Sequence, residues 1–575
     1  MITVSEITVK HGENIVINCV SLQIEPGEFI SIIGENGSGK TSLARCLNGL
    51  IKPYTGTVCV GDLNTDNPKN KAEIHRRVGM VFQNPEDQLV ANSVESELAF
   101  GLENLCLPTQ EIRKRVESAI EIFNLQSLRN RPPQKLSGGE KQRLAIASSY
   151  IMHPDFLILD EPTALLDNHH QNQILSHLRV LNSEFGIGII LITHSPQEAA
   201  QAHRILILNK GEIVGNASPR KIYYDLKGVQ KFQLETPFST KLGIAINESK
   251  NALSIDEFVE NWNKPILSNT RLIKPSAENT SGVISIELKN IQHHYEDFTT
   301  DSKPSMSNLN LSFYKGSLHA VIGKSGSGKT TLAQHLNRLL IPESGSVLIN
   351  KKNIMKYSVS DLVSTVGLIF QFPELQLFEE TVEEDVAFGP KRIKITSKEI
   401  AERIESALLQ VNLPLKIYGK RSPQNLSSGE KRRVAIAGII AMDPEIIILD
   451  EPTAGLDPKT SKKLCAMMRK LAKKHQKTII WITHDVDAAA YWADKVTVMT
   501  NGSVTLSGKT RDVFTCDDFE EKTDLSPPSS VILYEKMKAR GYVMPYIPIT
   551  LDETISILAP KIRELPPKFT SSFDT

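Results

Sequence analysis

The chain is expected to fold as two tandem α/β domains, each wound around a mostly parallel sheet, and three observations lead there. First, the sequence repeats itself: Lys40 and Lys329, Gln83 and Gln371, Ser137 and Ser427, Asp160 and Asp450, and His194 and His484 recur in the same order at offsets of 288 to 290 residues. A register held over so many separated motifs marks a duplicated domain rather than chance. Second, short apolar runs precede the polar motifs of each half, at 29–33, 156–159 and 188–192, then at 319–322, 446–449 and 478–482. Short, continuous and apolar, they read as buried strands. Third, longer segments with helical spacing lie between them, such as 112–123 and 400–411. Strands alternating with helices build a parallel sheet, and such sheets bind ligands at the carboxyl ends of their strands.

Length and composition agree with a folded chain of several domains. At 575 residues the chain exceeds what one hydrophobic core supports. Lysine plus arginine equals aspartate plus glutamate at 66 each, so no global positive field holds a nucleic-acid backbone, and no nucleic-acid partner is expected. The six cysteines, Cys19, Cys46, Cys59, Cys106, Cys465 and Cys516, form no C-x-x-C pair. That disfavours zinc sites, iron–sulfur clusters and a disulfide framework, and fits a reducing cytoplasm. The first residues lack the basic start and apolar stretch of a secretory signal. No apolar run approaches the roughly 18 to 20 residues needed to span a bilayer, 434–442 being among the longest. Any membrane passage is therefore expected to belong to other subunits.

The domain division expected is 1–222 for the first copy of the repeated domain, 223–282 for an accessory extension and linker, 283–515 for the second copy, and 516–575 for a C-terminal accessory extension. The two extensions resemble each other, since 253–257 (L-S-I-D-E) parallels 549–553 (I-T-L-D-E). The polar stretch 269–282, with Pro275, Ser276, Asn279, Thr280 and Ser281, reads as the linker.

Residues 34–41 and 323–330 both fit G-x-x-x-x-G-K-[ST] directly after an apolar run, which is the pattern of a phosphate loop. Gly34, Asn36, Gly37 and Gly39, and likewise Gly323, Ser325, Gly326 and Gly328, let backbone N–H groups turn toward phosphates. Lys40 and Lys329 then bridge β and γ oxygens, and the helix that follows presents its positive end. Thr41 and Thr330 are placed to ligate Mg²⁺, with Ser42 and Thr331 beside them. Asp160-Glu161 and Asp450-Glu451 end apolar strands. The first acid of each pair can hold the magnesium shell and the second can polarise the water that attacks the γ-phosphorus. A single strand-end pair would read as solvent-exposed carboxylates; two pairs in register with phosphate loops do not.

Ser137-Gly138-Gly139-Glu140 and Ser427-Ser428-Gly429-Glu430 each open an apparent helix, and either one alone fits an N-cap with a capping glutamate. Lying between phosphate loop and acidic pair, they resemble the LSGGQ signatures of ABC ATPases, and the resemblance covers nearly all of both halves. It implies two tandem ABC-type P-loop nucleotide-binding domains that hydrolyse Mg-ATP, each with a helical subdomain and a small C-terminal extension. It implies further that each signature contacts the γ-phosphate of ATP bound to the opposite domain. Site one then joins Lys40, Asp160, Glu161 and His194 to Ser427 and Gly429; site two joins Lys329, Asp450, Glu451 and His484 to Ser137 and Gly139. Gln83 and Gln371 match the Q-loop glutamine that senses magnesium and the transporter. His194 and His484 match the switch histidine, and Tyr295 the adenine-stacking aromatic, for which the first half has His11.

Two departures fall on site one: Ser428 stands where the signature has glycine, and Leu165 where the second half has Gly455. A Cβ at the glycine position hinders approach to phosphate if that backbone needs φ > 0. Unequal sites are expected on this reading, site two being the faster.

The stretches after the Q-loops, 84–89 with 99–104 and 372–378 with 387–391, resemble the two distinct ATPases of energy-coupling factor (ECF) importers, here joined in one chain. That resemblance implies a transmembrane coupling subunit, a membrane-embedded substrate-binding component and a peripheral place at the cytoplasmic face of the membrane. It implies uptake of a vitamin, a vitamin precursor or a metal ion, with no additional ATPase subunit required. The runner-up class is a non-transport tandem ABC ATPase of translation or DNA repair, against which stand the neutral charge, the lack of cysteine-metal modules and a linker without a basic helix.

Overall fold

A computed structural model describes residues 1–559 except 165, 233, 248–251, 265, 267–281, 295–304, 372 and 394. The chain divides into two compact units, Met1–Asn261 and Trp262–Thr575.

The first unit is built around a six-stranded sheet in the order Glu212–Ala217, Arg204–Asn209, Phe29–Ile33, Gly188–Ile192, Phe156–Asp160, Val78–Val81. Five strands run parallel and Glu212–Ala217 closes the edge antiparallel. The strands read as unbroken apolar runs because both faces of the sheet are covered. Phe29, Leu157, Leu159, Ile189 and Leu191 face one cluster with helices Val94–Asn104, Thr109–Ile122 and Gly138–Tyr150. Their neighbours Ile30, Ile32, Ile158, Ile190 and Ile192 face a second cluster.

That second cluster belongs to a separate four-stranded antiparallel sheet, Asn14–Ile24, Ile2–His11, Thr55–Val60 and Leu63–Asn64. The sequence reading placed only the central parallel strands; this sheet adds to them. Its strands alternate buried and exposed residues, as a sheet with one wet face must, and bulges shift the register of Ile2–His11 against both neighbours.

The second unit repeats the plan. Its six-stranded sheet runs Val366–Ile369, Ile446–Asp450, Thr478–Ile482, Leu318–Ile322, Lys495–Thr500, Ser503–Lys509, again parallel but for the last strand. Strands Ile284–His293, Met306–Tyr314, Ser344–Ile349 and Lys352–Asn353 form its antiparallel sheet. Helices 109–122 and 397–410 lie within three residues of the segments read from helical spacing.

Beyond each core come short helices: Leu226–Lys231, Phe238–Ala245 and Ile255–Asn261 in the first unit, and Phe519–Thr523, Ser529–Ala539 and Leu551–Leu558 in the second. Among the described residues no helix is long and apolar enough to cross a membrane. All six cysteines are free thiols.

Candidate functional site

In each unit the phosphate loop joins the central strand to an eight-residue helix, Lys40–Leu47 or Lys329–Leu336. Gly39 caps the first helix at φ 102°, and a Cβ there would stand 2.7 Å from the Val16 carbonyl oxygen, so no side chain fits. Gly328 holds the same place at φ 95°. Lys40 Nζ donates to the carbonyls of Gly34 (2.9 Å) and Glu35 (3.0 Å), and Lys329 Nζ to those of Gly323 (2.7 Å) and Lys324 (2.8 Å). Each lysine thus closes its own loop into a ring at a helix N-terminus, which suits an anion.

Asp160 and Asp450 end their strands buried. Thr41 hydrogen-bonds the Asp160 carboxylate, and Thr330 Oγ1 donates to Asp450 Oδ2 at 2.8 Å. Burial pushes both carboxyls up, Asp450 to about 6; the adjacent glutamate adds to the rise, while the threonine and lysine oppose it. Two hard oxygen donors per unit, hydroxyl and buried carboxylate, fit Mg²⁺ carried in with a nucleotide's phosphates, and a divalent cation would relieve the desolvated charge.

The next acids are held in an uncommon backbone state. Glu161 and Glu451 both sit at φ 49°, the left-handed region that non-glycine residues rarely adopt. Each is pinned by its N–H to the neighbouring strand end, Ile192 O and Ile482 O respectively, at 3.0 Å. His194 Nε2 lies 3.1 Å from Glu161 Oε1, and Gln83 Nε2 donates to Glu161 Oε2 at 3.0 Å. The first unit therefore gathers Lys40, Thr41, Gln83, Asp160, Glu161 and His194 at the carboxyl edge of one sheet.

In the second unit His484 Nδ1 lies 2.9 Å from Glu451 Oε2. Burial pulls the imidazole pKa down, but the charge and hydrogen bond of Glu451, with Asp485, outweigh it and hold His484 above its ordinary value. Gln371 is half-buried, and its backbone carbonyl accepts from Arg432 Nη2 at 3.2 Å.

Ser137 and Ser427 do what the bland reading of their motifs required: each caps its helix, with Glu140 or Glu430 closing a capping box. Gly138 is the first residue of helix Gly138–Tyr150 and has no left-handed φ, and Ser428 opens its counterpart Ser428–Ala441. The backbone condition under which a Cβ at 428 would be strained is therefore not met. Gly139 is tighter, since a Cβ there would lie 2.4 Å from the His170 ring. His11 Nε2 stands 3.3 Å from Ser42 Oγ, beside the phosphate-loop helix. Tyr295 and Leu165 lie outside the described residues.

Sequence reasoning missed Thr163, Thr193 and Glu198, which form a buried cluster behind Glu161 and His194. The one available signal was a contrast between halves: the position matching Glu198 is Ala488.

The family model described as ABC transporter matches this chain twice, over residues 17–164 and 306–454. A "Putative ABC transporter ATP-binding protein" of Caldanaerobacter subterraneus subsp. tengcongensis is 35% identical over 553 residues, covering 93% of this chain and 96% of its own length. A protein of the same description from Methanosarcina mazei is 34% identical over 568 residues, covering 95% of each. Among solved structures, cbiO1 from Clostridium perfringens, described as part of the ABC transporter complex cbiONQ, is 34% identical with a TM-score of 0.37, covering 42% of this chain and 94% of its own. The chain belongs to the ABC transporter family, as an ATP-binding subunit whose two ABC ATPase domains bind and hydrolyse ATP.

Proposed function

We propose that the chain is the ATPase subunit of an ECF-type importer, driving uptake of a vitamin, a vitamin precursor or a metal ion through separate membrane subunits at the cytoplasmic face. One observation carries this reading. In each unit the loop after the Q-loop glutamine presents an exposed apolar side chain and is fixed from behind by an acid. Val90 is 63% exposed, while the backbone N–H groups of Val90 and Ala91 donate to buried Glu97 at 2.9 and 2.7 Å. Phe378 is 61% exposed, while the N–H groups of Phe378 and Glu379 both donate to Asp385 at 3.0 Å. A loop held this firmly in two registered copies does not expose apolar surface by accident; it suits an apolar docking element of a membrane partner.

Hydrolysis on this reading takes place at the phosphate-loop site of each unit. Mg²⁺, when bound, supplies a Lewis acid that neutralises charge building on the transferred phosphoryl group. Lys40 and Lys329 leave their loop carbonyls for the phosphates. Thr41 and Asp160, or Thr330 and Asp450, hold the metal shell, with Gln83 and Gln371 alongside. Glu161 and Glu451 orient and polarise the attacking water, while His194 and His484 fix that glutamate and reach the γ-phosphate.

The test is co-expression with a multi-spanning membrane subunit and purification in detergent. Wild-type chain is expected to co-purify, and Val90→Glu with Phe378→Glu to abolish this while retaining ATP binding. Co-sedimentation with ribosomes in place of membrane association would overturn the reading.

A further inference from the structure

Glu198 is 3% exposed and sits four residues beyond His194. Thr163 Oγ1 donates to its Oε1 at 2.6 Å, and Thr193 Oγ1 to its Oε2 at 2.6 Å. Both threonines are buried too. Thr163 lies two residues after Glu161, in the turn where Leu166 N and Gln171 Nε2 bond the Thr163 carbonyl. Thr193 immediately precedes His194, and its hydroxyl also accepts from Ser195 N at 2.9 Å. One carboxylate therefore clamps the backbone that carries Glu161 to the backbone that carries His194. Burial raises its pKa, and the two short hydroxyl donors oppose that rise.

The second unit keeps both threonines, Thr453 and Thr483, but has Ala488 in place of the acid. Thr453 is partly exposed where Thr163 is buried. A side chain that ends at Cβ accepts no hydrogen bond, so nothing at that position clamps the two loops.

We propose that Glu198 is a positioning residue of the first ATP site: by bonding Thr163 and Thr193 it sets Glu161 against His194, a support that the second site lacks. The inference rests on Glu161 and His194 serving hydrolysis as described above. Catalytic groups held by such a buried, fully bonded support lose rate steeply when it loosens, because small misplacements of a reacting group are costly.

The experiment uses the full chain with one site silenced at a time, Glu451→Gln to read the first site and Glu161→Gln to read the second. Glu198→Ala is expected to lower first-site kcat about tenfold with KM changed less than twofold, Glu198→Gln to restore part of that loss, and second-site turnover to change by less than twofold. Thr163→Val, which removes one hydroxyl donor, is expected to act in the same direction and keeps the question open to test if Glu198→Ala does not fold. Amide hydrogen exchange is expected to quicken at 161–167 and 193–199 but not at 451–457 and 483–489. Equal loss at both sites, or faster exchange with first-site kcat intact, overturns the proposal alone. First-site turnover that survives Glu161→Gln overturns the catalytic reading beneath it.

Discussion

His484 meets Glu451 through Nδ1 at 2.9 Å, whereas His194 meets Glu161 through Nε2 at 3.1 Å. The two switch histidines thus present opposite ring nitrogens to their acids, and a protonated ring is favoured at His484. A histidine pKa raised by folding gives stability that is complete below the unfolded value, near 6.5, and disappears as pH climbs through the folded value. His484→Gln is therefore expected to lower the Tm of the ligand-free protein by about 2–4 °C at pH 6, and by progressively less toward pH 9. Thermal scans across that range check it, and a deficit that grows with pH would contradict the pairing.

Asp450 has the opposite linkage. Its carboxyl, raised from an ordinary 3.8 to about 6 chiefly by burial, makes the folded state hold its proton more tightly than the unfolded chain does. The fold is penalised above pH 6, and the penalty fades as pH falls from there toward 4. Asp450→Asn is expected to stabilise the nucleotide-free protein at pH 8 by up to about 3 kcal/mol, and to match wild type near pH 4. Mg-ATP should reverse the order, raising the wild-type Tm far more than the variant's, because the cation needs the charge the variant lacks. A variant that is less stable than wild type at pH 8 without ligand would refute this.

What was legible in the sequence follows from which residues act through type and spacing. Lys40, Asp160 and His194 stand next to apolar strands that only a covered sheet explains, so their place at one sheet edge could be read directly. The antiparallel sheet was readable in principle from the alternation across Ile2–His11, but short alternating strands carry a weaker signal than unbroken apolar runs. The left-handed backbone of Glu161 leaves no compositional trace, since glutamate is not a residue that seeks φ > 0. Glu198 was hidden for another reason: its partners are 35 and 5 residues away, and only folding brings Thr163 and Thr193 to one carboxylate.

Glu161 and Glu451 at φ 49° set two effects against each other. Glycine at either position relieves strain of order 1 kcal/mol while deleting the carboxylate. Glu161→Gly is therefore expected to be as stable as Glu161→Gln or more so, and both to lose hydrolysis at their site by at least about a hundredfold. With the two Gln variants made separately, unequal losses of the total rate are expected, since the Glu198 clamp supports the first site alone. Single-turnover hydrolysis alongside thermal scans measures both; equal losses would reject the inequality, and a less stable glycine variant would reject the strain.

The accessory helices are tied to their cores by one device used twice. Arg220 pairs with Glu257 and Arg511 with Glu553. Each glutamate also accepts a backbone N–H ahead of its helix, from Leu253 and Ile549 at 2.8 Å, while its own N–H bonds Ser254 or Thr550. The ion pairs are partly exposed, so each is worth about 0–1 kcal/mol, and the cap about 1 kcal/mol more. A total near 1–2 kcal/mol is too small to unfold a domain yet comparable to the local stability of short helices with few contacts. Glu257→Ala is expected to speed limited proteolysis within 223–261, and Glu553→Ala within 516–559, while ATP turnover stays within twofold of wild type. Neither glutamate belongs to a phosphate loop or to the strands that lead into Glu161 and Glu451, so lost turnover with unchanged proteolysis would show that these helices act on the ATP sites and not merely beside them.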